Sequence, residues 1–178
     1  MIAAQGSVAI HIRGRGLVGA VLADLAQRVR TAAPTAQILI NDRADVAKAV
    51  NADGVHLPEA GIPTPAARAL LGEDAWIGRS VHETTNVTPA LESGADYVFL
   101  GPIWPSASHP GVPGMGLGAL SGAAGRPILA IGGVTPDRAG KARRAGAYGV
   151  ATVSALWLAE DPGSVAREML LSLEVQDS

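Results

Sequence analysis

Short apolar segments alternate along the chain with longer segments of helical character. The apolar segments end at glycine, proline or polar residues and are too short for helices; they are SVAIHIR, AQILIN, DGVHL, AWIGRS, DYVFLG, PILAIGG and YGVATVS. The intervening segments, such as LVGAVLADLAQRVRTAA and TPDRAGKARRAGA, are rich in alanine and have apolar residues at helical spacing. This alternation predicts a parallel sheet built from βα units.

The end of the chain favours a barrel over a doubly wound open sheet, the alternative for such a pattern. Five predicted strands begin near residues 54, 76, 97, 128 and 149, and the last two run into IGGV and VSAL. In (β/α)8 barrels the loops after strands seven and eight often hold phosphate. We therefore predict an α/β fold, a (β/α)8 TIM barrel that forms a single domain over residues 1–178.

The first strand of this barrel is lacking or replaced. Counting back from PILAI as strand seven makes VAIHI strand two, so we expect no eighth strand within residues 1–178. A barrel without that strand exposes two sheet edges, which invite pairing or covering. We expect that MIAAQG or a second subunit covers the gap, or that the coding sequence begins further upstream. We also expect a homo-oligomer.

Composition narrows the class of protein. The chain has 178 residues, of which 48% are hydrophobic and 17% charged, as expected for a globular domain with a real core. A net charge of −2 gives no reason to expect nucleic acid or an anionic membrane as partner. The chain contains no cysteine, which excludes a disulfide scaffold, a thiolate metal site and a cysteine nucleophile. No membrane-spanning run or signal peptide is visible, so we expect a cytoplasmic protein.

Two loops near the end of the chain have the features of a phosphate site. Gly132 and Gly133 leave a strand end without side chains, and Val153 and Ser154 follow the next strand. Helix N-termini offer unpaired N–H groups and partial positive charge to anions. Gly132 and Gly133 open one such helix end, and we interpret Gly133, Val153 and Ser154 as backbone and hydroxyl donors to one phosphate. The alternative is that the glycines only permit a tight turn and that Ser154 only caps its helix.

Six segments form an ordered set of motifs along the chain: INDRADVAKAVNADGVHL, IGRSVHE, GADYVFLGPIWPSAS, GLGAL, PILAIGGV and AGAYGVATVSAL. This ordered set resembles the thiamine phosphate synthase and thiazole tautomerase family, a group of short TIM barrels. The resemblance implies a synthase that joins hydroxymethylpyrimidine diphosphate to thiazole phosphate and releases diphosphate. It also allows a tautomerase, which moves a proton on the same thiazole phosphate. Small-molecule phosphates and diphosphates are the expected partners.

The resemblance also implies roles for individual residues. Breaking the bond to diphosphate requires cations and Mg²⁺ that stabilise the leaving group. A solvated basic loop at Arg13 and an ordinary helix start at Asn41 and Asp42 are the structural alternatives. The expected catalytic residues are Arg13, Asn41, Ser80 and His109; the expected substrate-binding residues are His11, Arg15, Ser106, Ser108, Gly132, Gly133, Val153 and Ser154; the expected Mg²⁺ ligand is Asp42.

Several positions depart from the family pattern. Gly61 stands where a second metal-binding aspartate is usual, and Glu59, two residues upstream, is a possible substitute at the wrong spacing. His109 replaces a lysine that contacts diphosphate, so the Mg²⁺ and diphosphate sites are weakened. Pro102 stands where tautomerases can carry a histidine. A synthase is therefore preferred, and a tautomerase or a catalytically dead protein that binds thiazole or thiamine phosphate stays open.

Overall fold

The computed structural model describes residues 2–4, 7–14, 16–106 and 111–174. The strands are β1 (Ile2–Ala4), β2 (Ser7–Ile12), β3 (Gln37–Asn41), β4 (Gly54–Leu57), β5 (Trp76–Val81), β6 (Tyr97–Leu100), β7 (Ile128–Ile131) and β8 (Gly149–Ala151). The α-helices are α1 (Gly19–Ala32), α2 (Ala44–Ala49), α3 (Thr64–Leu71), α4 (Val87–Glu92), α5 (Pro136–Arg144), α6 (Ser154–Trp157) and α7 (Pro162–Glu174). Short 3₁₀ helices cover Thr84–Asn86 and Leu117–Leu120.

The strands follow one another in chain order, β1 to β8, around a closed barrel. The pairs β2–β3, β3–β4, β4–β5 and β7–β8 are parallel, as the alternation of strands and helices predicts. β4 to β8 begin at the predicted positions, because a glycine, a polar residue or a proline precedes each apolar run. The predicted α/β TIM-barrel class is confirmed.

β1 differs from the other strands in direction. It pairs antiparallel with β8, with Ile2 opposite Ala151 and Ala3 opposite Val150. The N-terminal segment therefore covers the gap, the first of the expected alternatives, and replaces the missing parallel strand. The expectation that no eighth strand lies within residues 1–178 is wrong. An antiparallel strand needs no crossover helix, so three residues suffice to pair backbone groups along β8.

The chain packs as two compact units. The N-terminal unit comprises Ala9–Val81 and Thr85–Val98, and the C-terminal unit comprises Met1–Val8, His82–Thr84 and Phe99–Ser178. In the N-terminal unit, an aliphatic core of α1, β3, β4 and β5 side chains is almost fully excluded from water; it includes Leu22, Ala26, Ile38, Ile40, Val55, Leu57 and Ile77.

Two aspartates of the N-terminal unit each link the preceding strand to a helix that packs on the sheet. Asp53, just before β4, accepts hydrogen bonds from Ile38 N at 2.7 Å and from Arg30 Nη2 at 2.6 Å. Asp96, just before β6, repeats the arrangement with Ile77 N and with an arginine of α3. The recurring acidic residue before a strand therefore pairs a strand amide and fixes a helix onto the sheet.

In the C-terminal unit, β7 and β8 pair in parallel, with Ile131 opposite Ala151. Both strands are mostly buried; α5 packs on β8, and α7 packs on α5 and on β1. The loops that leave β7 and β8 therefore start side by side. None of the helices among the described residues has both the length and the apolar character needed to cross a membrane.

Candidate functional site

Four side chains of the N-terminal unit form a continuous hydrogen-bonded chain. His11 Nε2 lies 3.2 Å from Tyr97 Oη, and Tyr97 Oη lies 3.2 Å from His56 Nδ1. His56 Nε2 lies 2.9 Å from Ser80 Oγ. The side chains come from β2, β6, β4 and β5, so residues far apart in sequence meet within the sheet. We call this set the His11–Ser80 chain.

Gly78 makes room for this chain. In the β4–β5 register it lies opposite His56, and a Cβ built on Gly78 would overlap the Tyr97 ring. The Tyr97 ring therefore stacks against His56 with centroids 5.6 Å apart and an interplanar angle of 29°. The absence of a side chain at one strand position thus permits an aromatic ring to reach two histidines.

Burial keeps both histidines of the chain neutral. It lowers the pKa of His11 well below 6.5, the ordinary value of a histidine, and the adjacent His56 adds to the shift. Burial also lowers the pKa of His56 to about 3, with the positive charges of Arg13 and Arg79 acting in the same direction. Burial raises the pKa of Tyr97 well above its usual value of 10.0, and Asp96 raises it further. Around neutral pH the side chains of the His11–Ser80 chain are therefore uncharged.

In the C-terminal unit, the loops after β7 and β8 present unused backbone amides. Within the described ranges, the N–H groups of Gly132, Gly133, Val153 and Ser154 donate no hydrogen bond to the protein. The buried Thr152 joins the two loops, because its hydroxyl donates to Val134 O at 3.0 Å. We call these four residues the amide cradle.

The glycines of the cradle cannot be replaced by other residues without strain. Gly132 has φ +93° and Gly133 has φ +64°, in the left-handed region that favours glycine. A Cβ on Gly133 would lie 2.7 Å from Pro105 O and 2.8 Å from Trp104 Cβ. α6 begins at Ser154 with Val153 as its N-cap, so the alternative interpretation of Ser154 as the cap is wrong.

Comparison with known proteins decides the family. The family described as thiamine monophosphate synthase matches residues 1–156. The chain belongs to the thiamine monophosphate synthase family. A thiamine-phosphate synthase of Haloquadratum walsbyi is 40% identical over 159 residues, which are 85% of this chain and 71% of that protein. One of Synechococcus sp. is 44% identical over 138 residues, 76% of this chain and only 39% of that protein.

A solved structure agrees with this assignment. The thiamine phosphate pyrophosphorylase of Pyrococcus furiosus superimposes with a TM-score of 0.83 at 29% sequence identity. The superposition covers 96% of this chain and 84% of that one. The similarity to the synthase family therefore extends over nearly the whole fold and is not confined to the motifs.

The synthase-family residues expected around β2 and β3 lie at strand ends of the N-terminal unit. Asn41 is the last residue of β3 and pairs in register with His56. Asp42 follows with φ +67°, its carboxylate exposed and its N–H donating to His56 O at 2.8 Å. Arg13 is exposed beyond β2. Non-glycine residues rarely adopt the left-handed region, and those that do are concentrated at functional sites.

The loop after β4 differs from the expected metal site. The Arg79 guanidinium donates to the carbonyl oxygens of Ile62, Glu59 and Gly61 at 2.9, 3.1 and 3.3 Å. The Glu59 carboxylate accepts from Asn86 Nδ2 at 2.9 Å, so it is engaged in the loop. Among the described histidines, aspartates and glutamates, no group of three is arranged to hold a metal ion. The positive charge of the Arg79 guanidinium lies within this loop and disfavours a metal ion held there by a second carboxylate.

The loop after β6 brings a buried hydroxyl to the predicted site. Ser106 Oγ is excluded from solvent and has no hydrogen-bond partner among the described residues. An unpaired buried polar atom is costly, and one at a predicted site fits a group that a ligand satisfies. Arg15, Ser108 and His109, expected to contact substrate, lie outside the described residues.

Sequence reasoning missed two residues at these sites. Arg138 of α5 donates to Gly133 O at 2.7 Å, and its guanidinium carbon lies 5.4 Å from the centre of the Trp104 ring. It therefore supports the carbonyl side of the amide cradle and brings positive charge to it. The sequence predicts only that Tyr97 lies in a strand, because nothing local in DYVFLG indicates that its hydroxyl meets two histidines.

Proposed function

We propose that residues 1–178 act as one catalytic domain, a thiamine-phosphate synthase of the cytoplasm that works as a homo-oligomer. The C–O bond between the pyrimidine methylene and diphosphate breaks, and the methylene becomes a cation stabilised by the electron-rich ring. The thiazole nitrogen then attacks this carbon, forming the C–N bond of thiamine phosphate. The electron pair of the broken bond leaves with diphosphate.

The unused amides of the cradle are the observation that carries this proposal. Four N–H groups without an acceptor among the described residues suit a phosphate, whose oxygens accept several hydrogen bonds at once. Gly132 and Gly133 both have positive φ angles, a backbone conformation that glycine adopts at little cost. The Arg138 cation adds favourable charge behind Gly133. The thiazole phosphate is the substrate that this arrangement suits.

The diphosphate and further substrate contacts are assigned from the matching positions. Arg13 and Asn41 would bind the diphosphate, and Ser80 would contact the substrate. Ser106 supports this assignment, since its buried hydroxyl has no partner among the described residues and a ligand can supply one. His11, Arg15, Ser108 and His109 complete the predicted set of contacts.

A magnesium ion fits this chain through one carboxylate. Mg²⁺ is commonly bound by one or two carboxylates together with substrate phosphates and water. Asp42 offers an exposed carboxylate, while Glu59 is engaged with Asn86 and Gly61 has no side chain. Asp42 would hold the ion against the diphosphate, and the ion would supply neutralising charge to the leaving group. Asp42 orients its own carboxylate through the left-handed backbone that its N–H bond to His56 O secures.

The test is an assay with hydroxymethylpyrimidine diphosphate and thiazole phosphate, run with and without Mg²⁺. We expect thiamine phosphate to form only when both substrates and Mg²⁺ are present. Conversion of the thiazole phosphate alone would indicate a tautomerase instead. Binding without any conversion would indicate a binding protein, and either result would contradict the proposal.

A pair of aspartate variants tests the metal assignment. Asp42→Ala should lower kcat on the order of 10²-fold, because one preorganised charge at the leaving group is lost. Thiazole phosphate binding, measured by calorimetry, should stay unchanged. Asp45→Ala is the matched control, since Asp45 is an exposed carboxylate three residues away that pairs with Arg43 at 2.6 Å. Equal loss of turnover in both variants would contradict the role of Asp42.

A further inference from the structure

The ring nitrogens and hydroxyl oxygens of the His11–Ser80 chain outnumber the protons that they carry, so each hydrogen bond has one donor and one acceptor. Tyr97 Oη lies between His11 Nε2 and His56 Nδ1, both at 3.2 Å, and has a single proton to donate. A neutral histidine carries one N–H, so each ring donates on one side and accepts on the other. The hydrogen bonds from Tyr97 through His56 to Ser80 therefore have a coupled direction. That direction decides whether the Ser80 hydroxyl offers a proton or a lone pair to a ligand.

The two directions have opposite consequences for Ser80. If Tyr97 donates to His56 Nδ1, then His56 Nε2 is protonated and donates to Ser80 Oγ, which leaves the serine proton for the ligand. If Tyr97 donates to His11 Nε2, then His56 Nδ1 donates to Tyr97 and Ser80 donates to the unprotonated His56 Nε2. In the second case Ser80 faces the ligand as an acceptor.

We propose that His11, Tyr97 and His56 are positioning residues that hold Ser80 Oγ as a hydrogen-bond acceptor toward the pyrimidine substrate. The protons run from Ser80 to His56 Nε2, from His56 Nδ1 to Tyr97, and from Tyr97 to His11 Nε2. This inference rests on the proposed synthase function, because it takes the pyrimidine as the group that Ser80 meets.

The charge of the transition state selects this direction. The pyrimidine becomes cationic as diphosphate leaves, so its amino N–H groups become stronger donors. A lone pair of Ser80 stabilises that charge, whereas a serine proton donated to a ring nitrogen would withdraw electron density and oppose ionisation. His56 and Tyr97 are buried, so their hydrogen bonds act in a low-dielectric surrounding where such orientation matters most.

In this arrangement His11 Nε2 accepts the hydrogen bond that Tyr97 Oη donates. The histidine must be neutral with its proton on Nδ1 to do so. Burial, which lowers the pKa of His11, favours the neutral ring.

Nitrogen NMR of the folded, ¹⁵N-histidine-labelled protein at pH 7 tests the direction without any turnover. The expected result is that both His11 and His56 carry their proton on Nδ1 and have an unprotonated Nε2, with His11→Gln and His56→Gln used to assign the signals. Protonation of Nε2 in either ring would overturn the proposal. Because substrate is absent, this result is independent of whether the chain proves to be a synthase.

Kinetic variants test the consequence for the reaction. Tyr97→Phe should lower kcat about tenfold, the effect of losing one oriented hydrogen bond, and leave the KM for thiazole phosphate unchanged. Tyr148→Phe, at the only other tyrosine, is the matched control. The two His11 variants both remove a residue that the proposed function counts among the substrate contacts, so they are compared with each other. His11→Gln has a carbonyl that can accept the Tyr97 proton and should therefore keep a higher kcat than His11→Leu, which has no acceptor.

Two outcomes would contradict the kinetic part. One is an unchanged kcat in Tyr97→Phe; the other is equal activity in His11→Gln and His11→Leu. Melting temperatures of all variants show whether a loss is one of folding, and the NMR result on the unsubstituted chain stands in either case. A wild-type protein that makes no thiamine phosphate would refute the synthase function and the role of Ser80 toward the pyrimidine. The NMR result would still show the direction of the hydrogen bonds in the His11–Ser80 chain.

Discussion

Acid should destabilise this protein through His56, because the folded state holds that ring in its neutral form. The side chain is 2% exposed, and burial lowers its pKa to about 3. In the unfolded chain a histidine has a pKa near 6.5, so below that pH the unfolded state binds a proton that the folded state does not. The free energy of unfolding must then fall as pH falls through the window from 6.5 to 3.

The size of this effect follows from the width of the window. Each pH unit below 6.5 costs about 1.4 kcal/mol of stability, so His56 alone contributes a loss of about 2 kcal/mol between pH 7 and pH 5. Urea unfolding at both pH values measures the loss in the wild type and in His56→Gln, where that contribution is absent. His82→Gln, which removes an exposed histidine, is the matched control. The same pH dependence in wild type and His56→Gln would refute a neutral buried His56.

Three further substitutions test the amide cradle, the contact between Gly78 and the Tyr97 ring, and the hydrogen bonds of Asp96. Gly133→Ala forces a Cβ into a left-handed backbone against Pro105 O, which costs about 1–2 kcal/mol of strain, so calorimetry should show thiazole phosphate binding weakened tenfold or more. Gly118→Ala, where a Cβ meets nothing within 4 Å, should bind normally, and equal affinities would contradict the cradle. Gly78→Ala places a Cβ in the Tyr97 ring and should destabilise the fold by about 1–3 kcal/mol in urea unfolding; an unchanged midpoint would show that this close contact is not required. Asp96→Asn weakens the bonds to its arginine and amide partners and should cost about 1–3 kcal/mol, whereas a loss below experimental error would contradict that role.

The barrel could be predicted from the sequence because local patterns determine most of it. Apolar runs bounded by glycine or polar residues gave the starts of β4 to β8, and the glycine pair after β7 indicated the amide cradle. The antiparallel β1 could not be foreseen, since a three-residue strand has no periodicity and its direction depends on pairing with β8 at the far end of the chain.

The chemistry of the sites was less predictable than the fold. The His11–Ser80 chain joins residues up to 86 positions apart, and the opening that admits Tyr97 is a glycine on another strand. The interaction of Arg138 with Gly133 depends on how the first turn of α5 lies over the loop. The engagement of Glu59 with Asn86 likewise needs the folded loop, because the sequence shows only that a carboxylate lies nearby.

The most direct test of the account is an amide NMR titration of the ¹⁵N-labelled protein with thiazole phosphate. We expect the backbone N–H signals of Gly132, Gly133, Val153 and Ser154 to shift downfield together and to saturate at one affinity, as amides do when they donate to phosphate oxygens. Signals of these amides that stay in place while thiazole phosphate binds elsewhere, or does not bind, would contradict it.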